Sequence, residues 1–266
     1  MSSDHQEWLD FTSHLARASG ERIRPYFRSS HLEVQTKDDR TIVTQADREA
    51  ESFLRSEIQR HFPKHGIIGE EFGQENAEAE YVWILDPIDG TISFAAGVPL
   101  FGTLIGLLHK GKPLIGCIYQ PILDILCLGD GRHTTINDTP VRIRPCPQLD
   151  QAFLLTTDPG LVETHQKIEP FQNVRRQSKT FRTWGDCFGY LQLVSGRADI
   201  MVDPILNPWD LLPLIPVVQG AGGVITGWRG EPAANASSAV ACGPDLHPEV
   251  IALLNPPEHT DVRGRR

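Results

Sequence analysis

The chain has 266 residues, 40% of them apolar and 22% charged, which is enough for a sizeable core and excludes disorder of the whole chain. With 25 basic against 34 acidic residues, the net charge is −9. That balance argues against a nucleic-acid or membrane-surface binder, whose affinity comes from clustered Lys and Arg, but it leaves room for a small anionic substrate where bound metal ions invert the local potential.

Taken in chain order, Trp8, Phe11, Leu15, Ala18, Ile23 and Phe27 have helical spacing, with Pro25 marking a kink or an end. A second helix is expected from about Thr44, carrying Ala46, Ala50, Phe53, Leu54 and Ile58 on one face and closed by Pro63. Apolar runs at 67–68 and 82–85 read as strands, and 103–109 with 114–119 flank Lys110-Gly111-Lys112-Pro113 as a hairpin, with 125–128 adding a further strand. Beyond it, the pattern predicts a strand at 153–157, a helix at 186–195 with Phe188, Leu191 and Val194 inward, and a short strand at 200–202. A helix at about 209–219 follows, stopped by Gly222-Gly223, then strands at 224–226 and 239–241 and a last helix from Pro248 to Leu254. The mixture of hairpin and alternating elements predicts an α/β (α+β mixed) chain. We divide it into an N-terminal half (1–148), a C-terminal half (149–256) and a polar tail (257–266) expected to be disordered.

The five cysteines are odd in number and include no CxxC pair, so neither a disulfide framework nor a thiolate zinc site is expected. The opening MSSDHQEWLDF carries acids where a secretory leader needs bases, and no apolar run reaches the ~18 residues of a membrane span. A cytoplasmic setting is the expectation.

The richest stretch is Trp83-Ile84-Leu85-Asp86-Pro87-Ile88-Asp89-Gly90-Thr91. An apolar strand runs out into two acids, Pro87 stiffens the chain where the strand is expected to end, and Gly90 permits close approach. Two carboxylates on such a turn, with the Ile88 carbonyl between them, suit Mg²⁺, and the N–H groups of Gly90 and Thr91 suit a phosphate. The same pattern also fits an Asp-rich turn. Gly69-Glu70-Glu71 after a strand reads either as solvated loop charge or as further ligands. Asp210, in Asn207-Pro208-Trp209-Asp210, reads as a helix cap or as another ligand.

Together, GEE at 69–71, DPIDGT at 86–91, WD at 209–210 and AGG at 221–223 resemble the inositol monophosphatase superfamily from about residue 8 to 254. The stretch Arg182-Thr183-Trp184-Gly185-Asp186-Cys187-Phe188-Gly189-Tyr190, with Ser195-Gly196-Arg197-Ala198-Asp199 and Asp203-Pro204, looks most like its histidinol-phosphate phosphatase branch. The resemblance implies a layered α-β-α-β-α sandwich, two or three Mg²⁺ ions (Mn²⁺ as a substitute), and hydrolysis of a small phosphate monoester by a homodimer. It implies metal ligands at Glu70, Asp86, the Ile88 carbonyl, Asp89 and Asp210, with phosphate held by Gly90 and Thr91. It also implies that Asp47 and Thr91, with Glu70, activate water, and that Glu71 and Lys37 are accessory. Gly185, Asp186 and Asp203 fall on the substrate side. Asp47, three residues after Thr44, also suits a capping box, and Asp186 also suits a helix cap. The rival substrates are inositol 1-phosphate or another sugar or nucleotide phosphate. A rival of another class is a metal-stabilised regulatory protein without catalysis. The sequence departs from the family at Ile92, where a polar residue is usual, and at Pro213 and Pro216, which put the geometry around Asp210 in doubt.

Overall fold

The computed structural model describes residues 3–37 and 41–257; the tail expected to be disordered lies, from residue 258, outside the described residues. Helix α1 (Ser3–Ile23) ends in a 3-10 turn at Arg24–Tyr26 that takes in Pro25. Strands β1 (Val34–Thr36) and β2 (Ile42–Thr44) form a small antiparallel pair, and Thr44 then caps α2 (Gln45–His61). An eight-stranded sheet follows, built from β3 (Gly66–Gly69), β4 (Gly73–Glu75), β5 (Tyr81–Asp89), β6 (Gly102–His109), β7 (Lys112–Gln120), β8 (Ile125–Gly129), β9 (Thr134–Ile136) and β10 (Thr139–Pro140). The short helix α3 (Thr91–Ala95) interrupts it after β5. The spatial order is β10-β9-β8-β7-β6-β5-β3-β4, with β3 parallel to β5 and the remaining pairs antiparallel. Lys110 and Gly111, at φ 51° and 74°, make the two-residue turn of the expected hairpin.

The second sheet takes β11 (Phe153–Leu155), β12 (Thr180–Arg182), β13 (Ile200–Asp203), β14 (Val224–Thr226) and β15 (Ala239–Cys242) in the order β12-β11-β13-β15-β14. Helices α4 (Pro159–His165), α5 (Ile168–Gln177), α6 (Asp186–Val194), α7 (Pro208–Gly220) and α8 (His247–Leu254) lie between and after these strands.

Strand alternation sets the layers. Trp83 and Leu85 of β5 join the core under α1 and α2, whereas Val82 and Ile84 turn to the opposite face, against Trp209 and Leu212 of α7. In the second sheet Leu155, Met201, Ala239 and Ala241 pack on α6 and α7 together with Leu104 and Ile118 of the first. Their neighbours Leu154, Ile200, Val202 and Val240 face α4, α5 and α8 instead. The result is helix pair, sheet, helix pair, sheet, helices, as the family resemblance implied.

Helix α7 continues through Pro213 and Pro216. Its seat explains how. Gly106, Gly116 and Gly129 stand side by side on β6, β7 and β8. A Cβ on Gly116 would lie 1.8 Å from the Pro213 carbonyl oxygen, and one on Gly129 would lie 2.5 Å from the Val217 Cα. Three bare backbones in register therefore open a trench into which the proline-rich face of α7 sinks, and that depth fixes the height of Asp210 above the sheet.

Candidate active site

Residues three apart on a regular strand point to opposite faces, so Asp86 and Asp89 need an irregularity to meet. The structure supplies one and corrects the expected strand end: β5 runs on through Asp89, and its register against β6 slips between Asp86, opposite Leu104, and Asp89, opposite Gly102. Pro87 has no N–H for the ladder, and the Thr103 hydroxyl donates to the Pro87 carbonyl at 2.8 Å, holding the bulge open. Both acids then turn to one side, where α7 brings Asp210, and one oxygen from each of the three lies within 4.8 Å of the others. Asp210 also caps its own helix by accepting the Asn207 N–H at 2.7 Å.

Electrostatically this cluster is costly without a cation. Burial first, then the charges of Glu70, Asp89 and Asp210, hold the Asp86 carboxyl well above the ordinary carboxylate range. Burial and the charges of Asp186 and Asp210 do the same to Asp89, and burial pushes Asp210 up to about 6. The Asp86 Oδ1 atom is buried with no hydrogen-bond partner. A buried acceptor without a donor, amid converging hard oxygens, is what a divalent ion would satisfy. The residues fit such an ion.

Glu70 stands beside this triad rather than in it: its Oε1 accepts from Lys37 Nζ at 2.8 Å, and the same ammonium donates to Glu71 at 2.7 Å. Burial lowers the Lys37 pKa, but the bonds to both glutamates outweigh it and raise it overall; burial raises Glu71. The Thr91 hydroxyl donates to the Ile88 carbonyl at 3.0 Å and sits 3.4 Å from Asp47 Oδ1. Asp47 Oδ2 meanwhile accepts from the N–H and hydroxyl of Thr44, so Asp47 closes the capping box while its other oxygen lies beside Thr91. Burial pushes Asp47 up to about 7. Gly90, at φ 90°, caps α3, whose first N–H groups have no acceptor within the helix.

Next to the triad a cleft of about 120 Å³ is lined by Asp89, Thr157, Asp186, Tyr190, Asp203 and Asp210, among others. Asp203 lines it while accepting from the Thr157 N–H at 3.1 Å and the Tyr190 hydroxyl at 3.0 Å. Gly185 packs against Thr157, whose Cα would lie 2.2 Å from an added Cβ, and the cleft lining begins at the next residue. Asp186 holds a left-handed backbone at φ 50° and caps nothing: the Cys187 N–H at the start of α6 donates instead to Asp89 Oδ2 at 2.5 Å. Among the described residues no hydrogen bond reaches the Asp186 carboxylate. Burial, then Asp203 and Asp210, push it up to about 7. Thr157, Tyr190 and Thr103 escaped the sequence reading; only Tyr190 left a signal, four residues after Asp186 on one helix face.

Comparison with known proteins agrees with the family resemblance of the sequence. A family model described as the inositol monophosphatase family matches residues 4–257. The chain is 44% identical over 253 residues to the chloroplastic bifunctional phosphatase IMPL2 of Arabidopsis thaliana, covering 90% of this chain and 72% of that protein. It is 36% identical over 223 residues to the histidinol-phosphatase of Chlorobaculum parvum, covering 84% and 86% of the two chains. Among solved structures, an inositol monophosphatase from Zymomonas mobilis superposes with a TM-score of 0.85 at 34% identity, covering 96% and 99%.

Proposed function

Since the chain belongs to the inositol monophosphatase family and is a phosphatase, we propose that it hydrolyses the phosphate monoester of a cationic amino alcohol, L-histidinol phosphate, by direct attack of water. Glu70, Asp86, Asp89, Asp210 and the Ile88 carbonyl would hold the Mg²⁺ ions, with Glu71 as an accessory through water. Bound there, the cations would neutralise phosphoryl charge and lower the pKa of water. The chain's own groups do the rest. The N–H groups of Gly90 and Thr91 orient the phosphate. The Thr91 hydroxyl and Asp47 align the attacking water and take its proton as the new P–O bond forms and the bond to the alcohol oxygen breaks.

The observation that carries the substrate class is Asp186. A carboxylate kept in a strained backbone conformation, without a capping partner and beside Asp203 and Asp210, is costly until a cation meets it. An amino group does so; a neutral polyol does not. Relatives bearing the histidinol-phosphatase name support the same reading.

The test is phosphate release from L-histidinol phosphate and from myo-inositol 1-phosphate, with Mg²⁺ and with a chelator. A kcat/KM preference of about 10- to 100-fold for the aminated ester is expected, the worth of one charge-assisted contact. The opposite preference moves the chain to the inositol phosphate reading, and no release from either ester with Mg²⁺ moves it to another sugar or nucleotide phosphate.

A further inference from the structure

Glu51 is a wholly buried carboxylate that the hydrolysis leaves without a task. It stands on α2 one turn after Asp47, and Arg55 on the next turn donates Nε to its Oε1 at 2.8 Å. The rest of its bonding capacity goes to the turn between β3 and β4. Its Oε2 accepts the Glu71 N–H at 2.7 Å, and its Oε1 accepts the Phe72 N–H at 3.2 Å. Arg55 completes the grip by donating Nη2 to the Gly73 carbonyl. The third N–H of the turn, that of Glu70, bonds the Leu85 carbonyl at 3.1 Å, next to Asp86. Gly69 is bare at the point of approach: a Cβ there would lie 2.1 Å from Glu51 Oε1.

A buried ion pair contributes little net stability, because desolvation offsets its attraction, and two apolar side chains would fill the space as well. Apolar side chains could not accept two consecutive N–H groups of a turn. We propose that Glu51 is a positioning residue: gripped by Arg55, it fixes the backbone of Glu70–Phe72 so that Glu70 faces Asp86 and Asp210 and Glu71 faces Lys37. The inference rests on the reading of Glu70 as a metal ligand. Glutamine at 51 keeps the shape but presents one amide N–H to a backbone N–H, so one of the two turn bonds is lost.

Binding of Mn²⁺ to the metal-free protein, followed by electron paramagnetic resonance, tests it. Glu51→Gln is expected to weaken binding about 10- to 100-fold, the usual effect of removing a group that orients a ligand, while the KM for substrate at saturating metal stays as in the wild type. Ile58→Val, on the same helix and also buried, lowers Tm without changing Mn²⁺ affinity. Amide exchange in the metal-free wild type adds a readout that needs no variant: the Glu71 and Phe72 N–H groups exchange slowly. Equal Mn²⁺ affinity in Glu51→Gln and wild type, or fast exchange at those two amides, overturns the proposal. Should Glu51→Gln not fold, Gly69→Ala presses on the same carboxylate and is judged by the same criterion. A wild type that binds no Mn²⁺ refutes the ligand reading instead, and the exchange measurement still decides on the grip.

Discussion

Asp186→Asn separates a substrate contact from a structural cap in one variant. Asparagine keeps the side-chain size and tolerates the left-handed backbone at φ 50°, so the perturbation is the loss of charge alone. Burial, with Asp203 and Asp210, raises this carboxyl from 3.8 to about 7, which for an isolated group would amount to about 4 kcal/mol. The repulsion is shared among several acids, so we take about half, ~2 kcal/mol, as the gain on neutralising this one. The sign follows from linkage: a raised carboxyl leaves the fold most stable below the ordinary carboxylate range and weakens it as pH rises through about 7. Metal-free Asp186→Asn is therefore expected to melt roughly 4–8 °C above the wild type at pH 8 and by a smaller margin at pH 5, where the folded carboxyl is protonated but the unfolded one is ionised; the two become level only below the unfolded value of 3.8. Meanwhile the KM for L-histidinol phosphate rises about 10- to 100-fold, as a charge-assisted bond of ~1.5–3 kcal/mol is lost, and the KM for myo-inositol 1-phosphate is unchanged. Thermal denaturation at the two pH values and steady-state kinetics on the two esters give the answer. A lower Tm at pH 8 with unchanged KM for both would refute the reasoning and return Asp186 to the helix.

Three further outcomes are expected. Asp47→Asn keeps the acceptor that caps α2 but cannot take a proton, so kcat falls about 10²- to 10⁴-fold while the metal-free Tm at pH 8 does not fall and, with a buried charge removed, rises; stopped-time phosphate assays and a melting curve check both. After chelation, the wild type is more stable at pH 5 than at pH 8, because Asp47 and Asp210 titrate near 7 and 6 when folded and near 3.8 when unfolded; added Mg²⁺ at pH 8 restores the loss, and a chelated protein that is more stable at pH 8 contradicts the cluster electrostatics. Gly116→Ala drives a methyl into the Pro213 carbonyl, costs about 1–3 kcal/mol or more in Tm terms, and weakens Mg²⁺ activation because Asp210 rides on the displaced helix; an unchanged melting curve would show that α7 does not sit in the trench.

What the sequence makes legible, and what it hides, divides along the range of the interactions involved. Elements with strong periodicity or clear stops, such as α2 between Thr44 and Pro63 and the hairpin around Lys110-Gly111, can be read locally. The edge pieces β1, β4, β10 and β12 are two or three residues long, too short to show a period. Pro213 and Pro216 put the geometry around Asp210 in doubt until Gly106, Gly116 and Gly129 are known to be neighbours, which no local window reveals. The DPIDGT run announces its acids but not how they meet, since parity sets Asp86 and Asp89 on opposite faces until the bulge, held by Thr103 from the next strand, turns them together.

Asp186 shows the same limit in its sharpest form. Read locally, an acid at the first position of a helix is a cap, and its neighbours offer nothing to decide otherwise. The decision comes from 98 residues away, where Asp89 takes the Cys187 N–H and so occupies the capping role. One bond thus does two things across the two sheets: it ties the start of α6 to the acid cluster, and it leaves the adjacent carboxylate unspent in the lining of the cleft. A chain with a true cap at 186 would gain a more stable helix and lose the free charge that, on the proposed function, meets the amino group of the substrate. The cost of Asp186 that a charge-removing substitution relieves is electrostatic: the left-handed φ stays, and stability is expected to be recovered when the negative charge is removed.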